Sequence, residues 1–362
     1  MGKILKATLK VIVYIVLAIV AVILITRLVV YVQIRNYRDK GIQENEYIEI
    51  NGIRQFIQIR GNDKKNPIVL FIHGGPGSPH AFISHYYQKD LEDYFTFVNW
   101  DQRDCGRTYF ANDGNEAANM ELMYEDLELI VDNILEKFGQ DKLIIMGHSW
   151  GSIIGSQYAQ DHPDKTLHYV GIGQVWTFKE GEELATAEAV KRAEDDGRQE
   201  DAKKIQEAFD KVQESVRANK LDMEALLGYR GLTTGKELVS PNVMPMYKSM
   251  WLGITSPNMN IDDIRWFLKL AGDNKLYISL YHQVFSDALN FDLKRMHFSV
   301  PVTIIMGKDD WTTPMILSEK HIGDLDAPNK ELYIIDKAGH APYLDQREEF
   351  SRLVLKSLVN YK

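Results

Sequence analysis

The sequence predicts an α/β fold: a mostly parallel sheet with helices on both faces and a helical segment inserted into it. Two observations carry this. Short, mostly apolar runs that read as strands fall at residues 67–72, 94–100, 142–146, 167–172, 300–306 and 330–335; the continuous run at 67–72 is what a strand buried on both faces requires. Between them lie stretches with apolar residues at helical spacing, and alternating strands and helices imply parallel pairing. From 175 to 298 the strand signal disappears. Residues 180–218 are rich in Glu, Ala, Lys, Asp and Gln, and residues 261–289 carry Trp266, Phe267, Tyr277 and Tyr281 in a helical pattern.

The first forty residues are a different material. Residues 11–25 are uninterruptedly apolar, and residues 28–32 continue the run past Thr26 and Arg27. As a helix, residues 11–32 would span roughly 33 Å, about the thickness of a bilayer's hydrocarbon core. A secretory signal would have a shorter core and a small-x-small cleavage site, and none follows Ile25. A soluble helix would show a polar face. The reading is an uncleaved transmembrane helix that makes the lipid bilayer a partner, with Arg27 near one end where it can snorkel. Lys3, Lys6 and Lys10 precede the run, and Arg35, Arg38 and Lys40 follow it. The positive-inside rule barely decides orientation between them. The orientation taken is N-terminus inside and the rest outside the cytoplasm. Protease treatment of intact cells checks it: cleavage of the catalytic part before lysis is the expected outcome.

This divides the chain into an anchor and linker at 1–40, an α/β core at 41–174 and 299–362, and a helical cap at 175–298. Residues 35–46 are polar and read as the linker. Residues 47–60 alternate apolar and polar about Asn51-Gly52, which marks a hairpin. Helices are expected at 120–138, 152–159, 315–321 and 346–359, and strands at the apolar runs. The formal charge of −9 and the lack of a basic stripe exclude a nucleic-acid partner. Cys105 is the single cysteine, so neither an intrachain disulfide nor a thiolate zinc cluster is expected. The histidines lack metal-ligand spacing, and neither metal nor cofactor is expected.

Gly147-His148-Ser149-Trp150-Gly151 stands between an apolar strand and a helical run. A serine on such a turn is pushed out of the sheet with its hydroxyl exposed, and the next N–H, from Trp150, heads a helix and can face a developing oxyanion. A serine hydroxyl needs a base, and the base needs an acid to fix its tautomer. In the α/β-hydrolase order both follow the serine. One strand end opens into Asp309-Asp310, and another into Gly339-His340. Sites in open α/β sheets gather beyond the carboxyl ends of strands, so His340 is the expected base. Asp310 is the expected acid, with Asp309 left to bond local loop amides. A second oxyanion donor is expected in His73-Gly74-Gly75-Pro76-Gly77, at the N–H of Gly75. His73 reads as a brace for that loop rather than a catalytic group.

His73-Gly74-Gly75-Pro76-Gly77, Asp101-Gln102-Arg103-Asp104-Cys105-Gly106-Arg107-Thr108, Gly147-His148-Ser149-Trp150-Gly151 and Ala338-Gly339-His340 together resemble the proline iminopeptidase branch of the α/β-hydrolases, which are serine aminopeptidases. The resemblance covers roughly residues 45–360. It implies the α/β-hydrolase fold, and a nucleophile, acid and base at Ser149, Asp310 and His340. Its oxyanion amides fall on Gly75 and Trp150. Asp104 stands where the branch usually has glycine. These peptidases hold the substrate's free amine with acidic cap residues, for which Glu180, Glu182 and Glu183 are candidates. A plain helix start rich in Glu explains the same three residues. The cap does not match a proline-specific pattern.

The leading expectation is a membrane-anchored serine hydrolase acting on short peptides as an aminopeptidase. The alternative is a carboxylesterase with the same three residues. Epoxide hydrolase chemistry would place an aspartate where Ser149 stands. A binding protein with a decayed site is a third reading, opposed by the intact Ser, Asp and His set.

Overall fold

The computed structural model describes residues 2–34, 40–112, 118–272 and 274–361. Helix α1 (Gly2–Ile34) comes first, and an eight-stranded sheet organises the rest. Strands β1 (Ile42–Ile50) and β2 (Ile53–Gly61) form the hairpin expected at Asn51-Gly52. Both turn residues have positive φ, 46° and 75°, as a type I′ turn demands. Strands β3 (Ile68–Ile72), β4 (Thr96–Asp101), β5 (Leu143–His148), β6 (Thr166–Ile172), β7 (Val302–Gly307) and β8 (Lys330–Ile335) follow in the order β1-β2-β4-β3-β5-β6-β7-β8. β2 pairs antiparallel with β1 and β4, and the remaining pairs are parallel. Every residue of β3, β4, β5 and β7 is buried, the packing that their unbroken apolar runs required.

One expectation is corrected at the start of the sheet. Residues 42–46 were read as linker, but Glu44, Asn45 and Glu46 pair with Ile59, Gln58 and Ile57 inside β1. β1 lies at the sheet edge, where charged side chains are tolerated and discourage further pairing. Lys137 caps this edge through ion pairs to Glu44 and Glu46 at 2.9 and 2.7 Å.

Short helices α2 (His85–Gln88) and α3 (Gly106–Phe110) follow β3 and β4. α4 (Met120–Phe138) has the bounds its periodicity implied. Asn119 accepts a hydrogen bond from the Leu122 N–H at its start, and Gly139, with φ 62°, ends it. α5 (Trp150–Asp161) leaves β5 through Ser149. Between β6 and β7 the described residues hold helices but no strand: α6 (Phe178–Asp195), α7 (Gln199–Arg217), α8 (Met223–Leu232), α9 (Met246–Ile254), α10 (Ile261–Gly272) and α11 (Asn274–Ala288). The strand-free stretch 180–218 forms two helices, separated at Gly197, whose φ is 73° just past the end of α6. α12 (Met315–His321), α13 (Pro342–Asp345) and α14 (Arg347–Ser357) complete the core.

Side chains alternate between two apolar layers along β3. Leu70 and Ile72 face α4, α5 and the helical segment, while Val69 and Phe71 face α14 and the 83–91 turns. Two buried ion pairs tie helices to the segment that follows β4. Arg103 grips Asp126 of α4 through Nε and Nη2 at 2.8 and 2.9 Å. Arg107 grips Asp263 of α10 at 3.1 and 2.8 Å and so ties the helical segment to the sheet. Removing one partner strands a charge in an apolar surround. Asp263→Ala is expected to lower unfolding free energy by about 3 kcal/mol or more. Asp195→Ala, which breaks the exposed Lys191 pair, is expected to leave the unfolding midpoint almost unchanged, because solvent screens that pair. Denaturant unfolding of the two variants in detergent checks the difference.

Candidate active site

Five loops converge beyond the carboxyl ends of the strands. The Ser149 turn joins β5 to α5 with φ 52° and ψ −121°, a conformation that costs a non-glycine residue about 1–3 kcal/mol. Packing holds it there. A Cβ on Gly147 would collide with the Gly151 carbonyl, one on Gly151 with the Ile72 carbonyl, and one on Gly74 would sit 2.8 Å from the Ser149 Cβ. Those glycines are therefore steric necessities of the turn, and they push the serine side chain outward. It lines a cavity of about 350 Å³ shared with Gly75, Trp150 and His340.

The β7 and β8 loops press together, since a Cβ on Gly307 would meet the Gly339 carbonyl. His340 Nδ1 lies 2.9 Å from Asp310 Oδ2. The Asp310 side chain is fully buried, and its charge is held by the N–H groups of Thr312 and Thr313 at 2.9 and 3.0 Å and by the Thr313 hydroxyl at 2.9 Å. Acceptance at Nδ1 by a carboxylate places the proton there and leaves Nε2 free to take one. Asp309 points elsewhere and receives Ser240 Oγ and Asn242 Nδ2 at 2.8 and 2.9 Å. The carboxylate beside the imidazole is thus Asp310, while Asp309 ties down the 240–242 turn.

The Gly75 loop is held from several sides. His73 is buried, with Nδ1 2.9 Å from the Gly74 carbonyl and Nε2 near the Gln102 N–H and the Cys105 thiol. Burial lowers its pKa to about 4, so the ring is neutral and braces the loop against the 101–105 segment. Trp266 Nε1 donates to the Gly77 carbonyl at 2.9 Å, and the Tyr277 hydroxyl to that of Pro76 at 3.3 Å. Those aromatics were read only as part of a helical pattern. Asp104 has φ 58°, the left-handed region that explains why glycine is usual there.

The three acidic candidates separate. Glu182 lines the cavity; Glu180 and Glu183 are outside its lining. Glu180 meets Lys320, His321 and Lys294. Burial alone would raise its carboxyl, but these cations bring it down to about 2. Glu183 is half exposed, 3.9 Å from Lys179. Glu182 pairs with Arg230, whose Nε and Nη2 both reach Oε1. Arg230 also lies over the Phe178 and Phe285 rings, at 5.2 and 5.5 Å. Nothing in the local sequence of α8 marked Arg230 as a cavity residue.

A second group the sequence left unassigned surrounds His340. His148 Nε2 is 2.9 Å from the His340 carbonyl, and its Nδ1 is 3.2 Å from the Tyr343 hydroxyl, which is itself 3.2 Å from His80 Nδ1. The carbonyl can only accept, so His148 Nε2 carries the proton and Nδ1 receives the Tyr343 O–H. Burial lowers His148 well below its ordinary pKa, helped by the neighbouring His340, and lowers His80 to about 3. The backbone of His340 is thereby anchored through a neutral chain that crosses three loops.

A family model for the α/β-hydrolase fold matches residues 67–346, and the chain belongs to that family. A probable aminopeptidase, YbaC, of Bacillus subtilis strain 168 is 27% identical over 326 residues, covering 86% of this chain and 95% of its own length. The proline iminopeptidase of Neisseria gonorrhoeae is 29% identical over 132 residues, 36% of this chain and 39% of its own. The structure of a Mycobacterium smegmatis proline iminopeptidase superposes with TM-score 0.59 at 16% identity, over 88% of this chain and 98% of that one. A Vigna radiata epoxide hydrolase variant reaches 0.56 at 18% identity, over 88% and 99%. At such identities those two likenesses are of fold alone. The resemblance to the proline iminopeptidase branch is borne out, and the chain is an α/β-hydrolase with aminopeptidase-like relatives.

Two outcomes follow from this geometry. Asp310→Asn should lower kcat by about 10⁴, because an amide donates to Nδ1 and reverses the tautomer. Asp309→Asn should leave kcat within about threefold, since its neighbours lie in the 240–242 turn; hydrolysis of an aryl ester reads both. The second outcome concerns pH. Burial holds His73, His85 and His168 at about 4, His80 at about 3, and His148 well below 6.5. Below about pH 6.5 the unfolded chain binds protons on these rings and the folded chain does not. Stability should therefore fall as pH drops from 6.5 towards 4. Asp101, raised by burial to about 7, binds its proton in the folded state first and offsets one of the five. Urea midpoints at pH 7 and pH 5 measure the drop, and His168→Asn should reduce it.

Proposed function

We propose that the protein is a serine hydrolase working by acyl transfer, and that its preferred substrates are short peptides with a free amino terminus. One observation carries the reading: a strained serine turn and a carboxylate-held imidazole share one cavity. His340 Nε2 takes the proton of the Ser149 hydroxyl as its oxygen attacks the substrate carbonyl. The N–H groups of Gly75 and Trp150 receive the oxyanion. His340 then gives the proton to the leaving amine and the C–N bond breaks. Water, deprotonated by the same ring, releases the acyl group and restores Ser149. Asp310 stays ionised and steadies the imidazolium. A serine rather than an aspartate on the turn favours acyl transfer over epoxide opening.

The aminopeptidase reading is supported by the names of the relatives and by Glu182 in the cavity wall. Both Arg230 contacts fall on Oε1, so Oε2 is the oxygen available to a substrate ammonium. The same Arg230 favours the alternative, a carboxylesterase, because it already balances the acid's charge. The segment 175–298 is read as a cap that limits the cavity to small substrates or chain ends. Helix α1 is read as an uncleaved anchor: residues 4–34 have a mean hydropathy of 2.9 in their most apolar window, and none of that window is buried. In this reading the catalytic part lies outside the cytoplasm.

Aminoacyl-arylamides and short-chain aryl esters offered to the full chain in detergent test the choice. Ser149→Ala should reduce hydrolysis by at least about 10³. For free-amine substrates, Glu182→Gln should raise KM about tenfold, the loss of one charge-assisted contact, and leave KM for amine-free esters within about twofold. Ester turnover that ignores both the amine and Glu182 would establish the esterase instead.

A further inference from the structure

The end of α1 does not stand clear of the hydrolase. Ile23, Thr26, Arg27 and Val30 are partly buried and Ile34 is buried, at spacings that put them on one helical face. The flanking positions 24, 25, 28, 29 and 31–33 are exposed. The contact face from 23 to 34 extends about 16 Å along the helix. The Arg27 guanidinium donates to the carbonyls of Pro257 (at 3.5 Å) and Met259, and Arg60 Nη2 donates to the Ile34 carbonyl at 2.9 Å. The sequence suggested that Arg27 would reach for the bilayer surface. It is instead received by the loop between α9 and α10, at the level of residues that belong to the apolar run.

That loop is flanked by the largest concentration of exposed apolar side chains outside α1. On α9 they are Met246 (79% exposed), Tyr247 (77%) and Met250 (57%), with Trp251 behind them. On α10 they are Ile261 (65%), Ile264 (41%) and Leu268 (69%). Each set recurs at three- and four-residue steps, so each helix turns one apolar face outward. Lys248 and Lys269 lie on the same two helices. Helices with an outward apolar face, aromatic residues and basic companions are the kind that lie in a membrane interface. A patch of this size left in water would be a liability.

We propose that the outward faces of α9 and α10 are immersed in the headgroup and upper acyl region of the bilayer that α1 spans. The occupant is lipid because the patch is continuous with the anchor: Arg27 fixes the α9–α10 loop at the depth of the last turns of the apolar run. The hydrolase then rests on the membrane along one side of its helical segment instead of hanging from a tether. This rests on reading α1 as the anchor, and the test separates the two.

Cysteines are introduced singly into the full chain at Leu17, Met246, Leu268 and Glu348, labelled with an environment-sensitive fluorophore, and reconstituted into phosphatidylcholine–phosphatidylglycerol vesicles. The unmodified chain gives the background, its sole cysteine, Cys105, being buried. Nitroxide-bearing lipids then quench by depth. Retained hydrolysis of a soluble aryl ester shows that each variant is folded. The expected result is quenching at Leu17→Cys by deep nitroxides, and at Met246→Cys and Leu268→Cys by shallow ones, at least threefold stronger than at Glu348→Cys. Quenching at Leu17→Cys with Met246→Cys and Leu268→Cys no different from Glu348→Cys would overturn the immersion and leave the anchor standing. An unquenched Leu17→Cys would overturn the anchor and the immersion with it.

Discussion

At the carboxyl edge of the sheet, the backbone of the Ser149 turn lies against the carbonyls of Ile72 and His73 with no space between them for a side chain. Everything else in the site follows from that contact. Because α5 can approach β3 only through Gly151, its first residue, Trp150, comes to line the same cavity as the Gly75 loop. Because Gly147 admits the first turn of α5, the serine is held at φ 52° and its hydroxyl cannot fold back into the sheet. The strain is a property of the packed edge rather than of the five residues that bear it. A similar approach, between Gly307 and Gly339, brings the Asp310 loop and the His340 loop to within one hydrogen bond of each other.

The surroundings of this edge are mostly polar groups kept neutral or paired. His73, His80 and His148 are buried where a charge is unaffordable, so they act as oriented dipoles. Each ring's proton is assigned by a neighbouring carbonyl or hydroxyl. Arg103 and Arg107, by contrast, keep their charges and satisfy them with bidentate carboxylates from α4 and α10. The 101–108 segment is therefore a junction: it braces the Gly75 loop through Gln102 and Cys105, and it holds the helical segment through Arg107. The same physical logic explains the cavity wall, where Arg230 and Glu182 enter as a pair because neither could be partly buried alone.

The position of α1 adds a mechanical consequence. A helix that touches the body over three turns restricts how the rest of the fold can turn relative to it. The cavity then has a set bearing to α1 and to the α9–α10 face.

Much of this was legible in the chain itself. Unbroken apolar runs announce strands that must be covered twice, and the structure has them at β3, β5 and β7 within about two residues; β8 forms where expected but is only partly buried at the sheet edge. The Ser149 turn, the histidine after Gly339 and the bracing role of His73 could be read because each depends on its own few neighbours: a glycine that tolerates contact, or a ring beside a tight loop. The polar run 42–46 misled because edge strands and linkers share a composition. The sequence favoured Asp310 over Asp309 only because adjacent residues point to opposite sides; which carboxylate lies beside an imidazole from another strand is visible only in the fold. Arg230, Tyr343 and the docking of Arg27 were invisible for the same reason. Their partners lie 48, 195 and up to 232 positions away, and no periodicity records a contact made by folding. The sequence by itself determined which backbone could form and where the Ser149 turn would present its hydroxyl. The tertiary structure alone decided which charges face each other, because that depends on distances between segments that the chain does not encode in order.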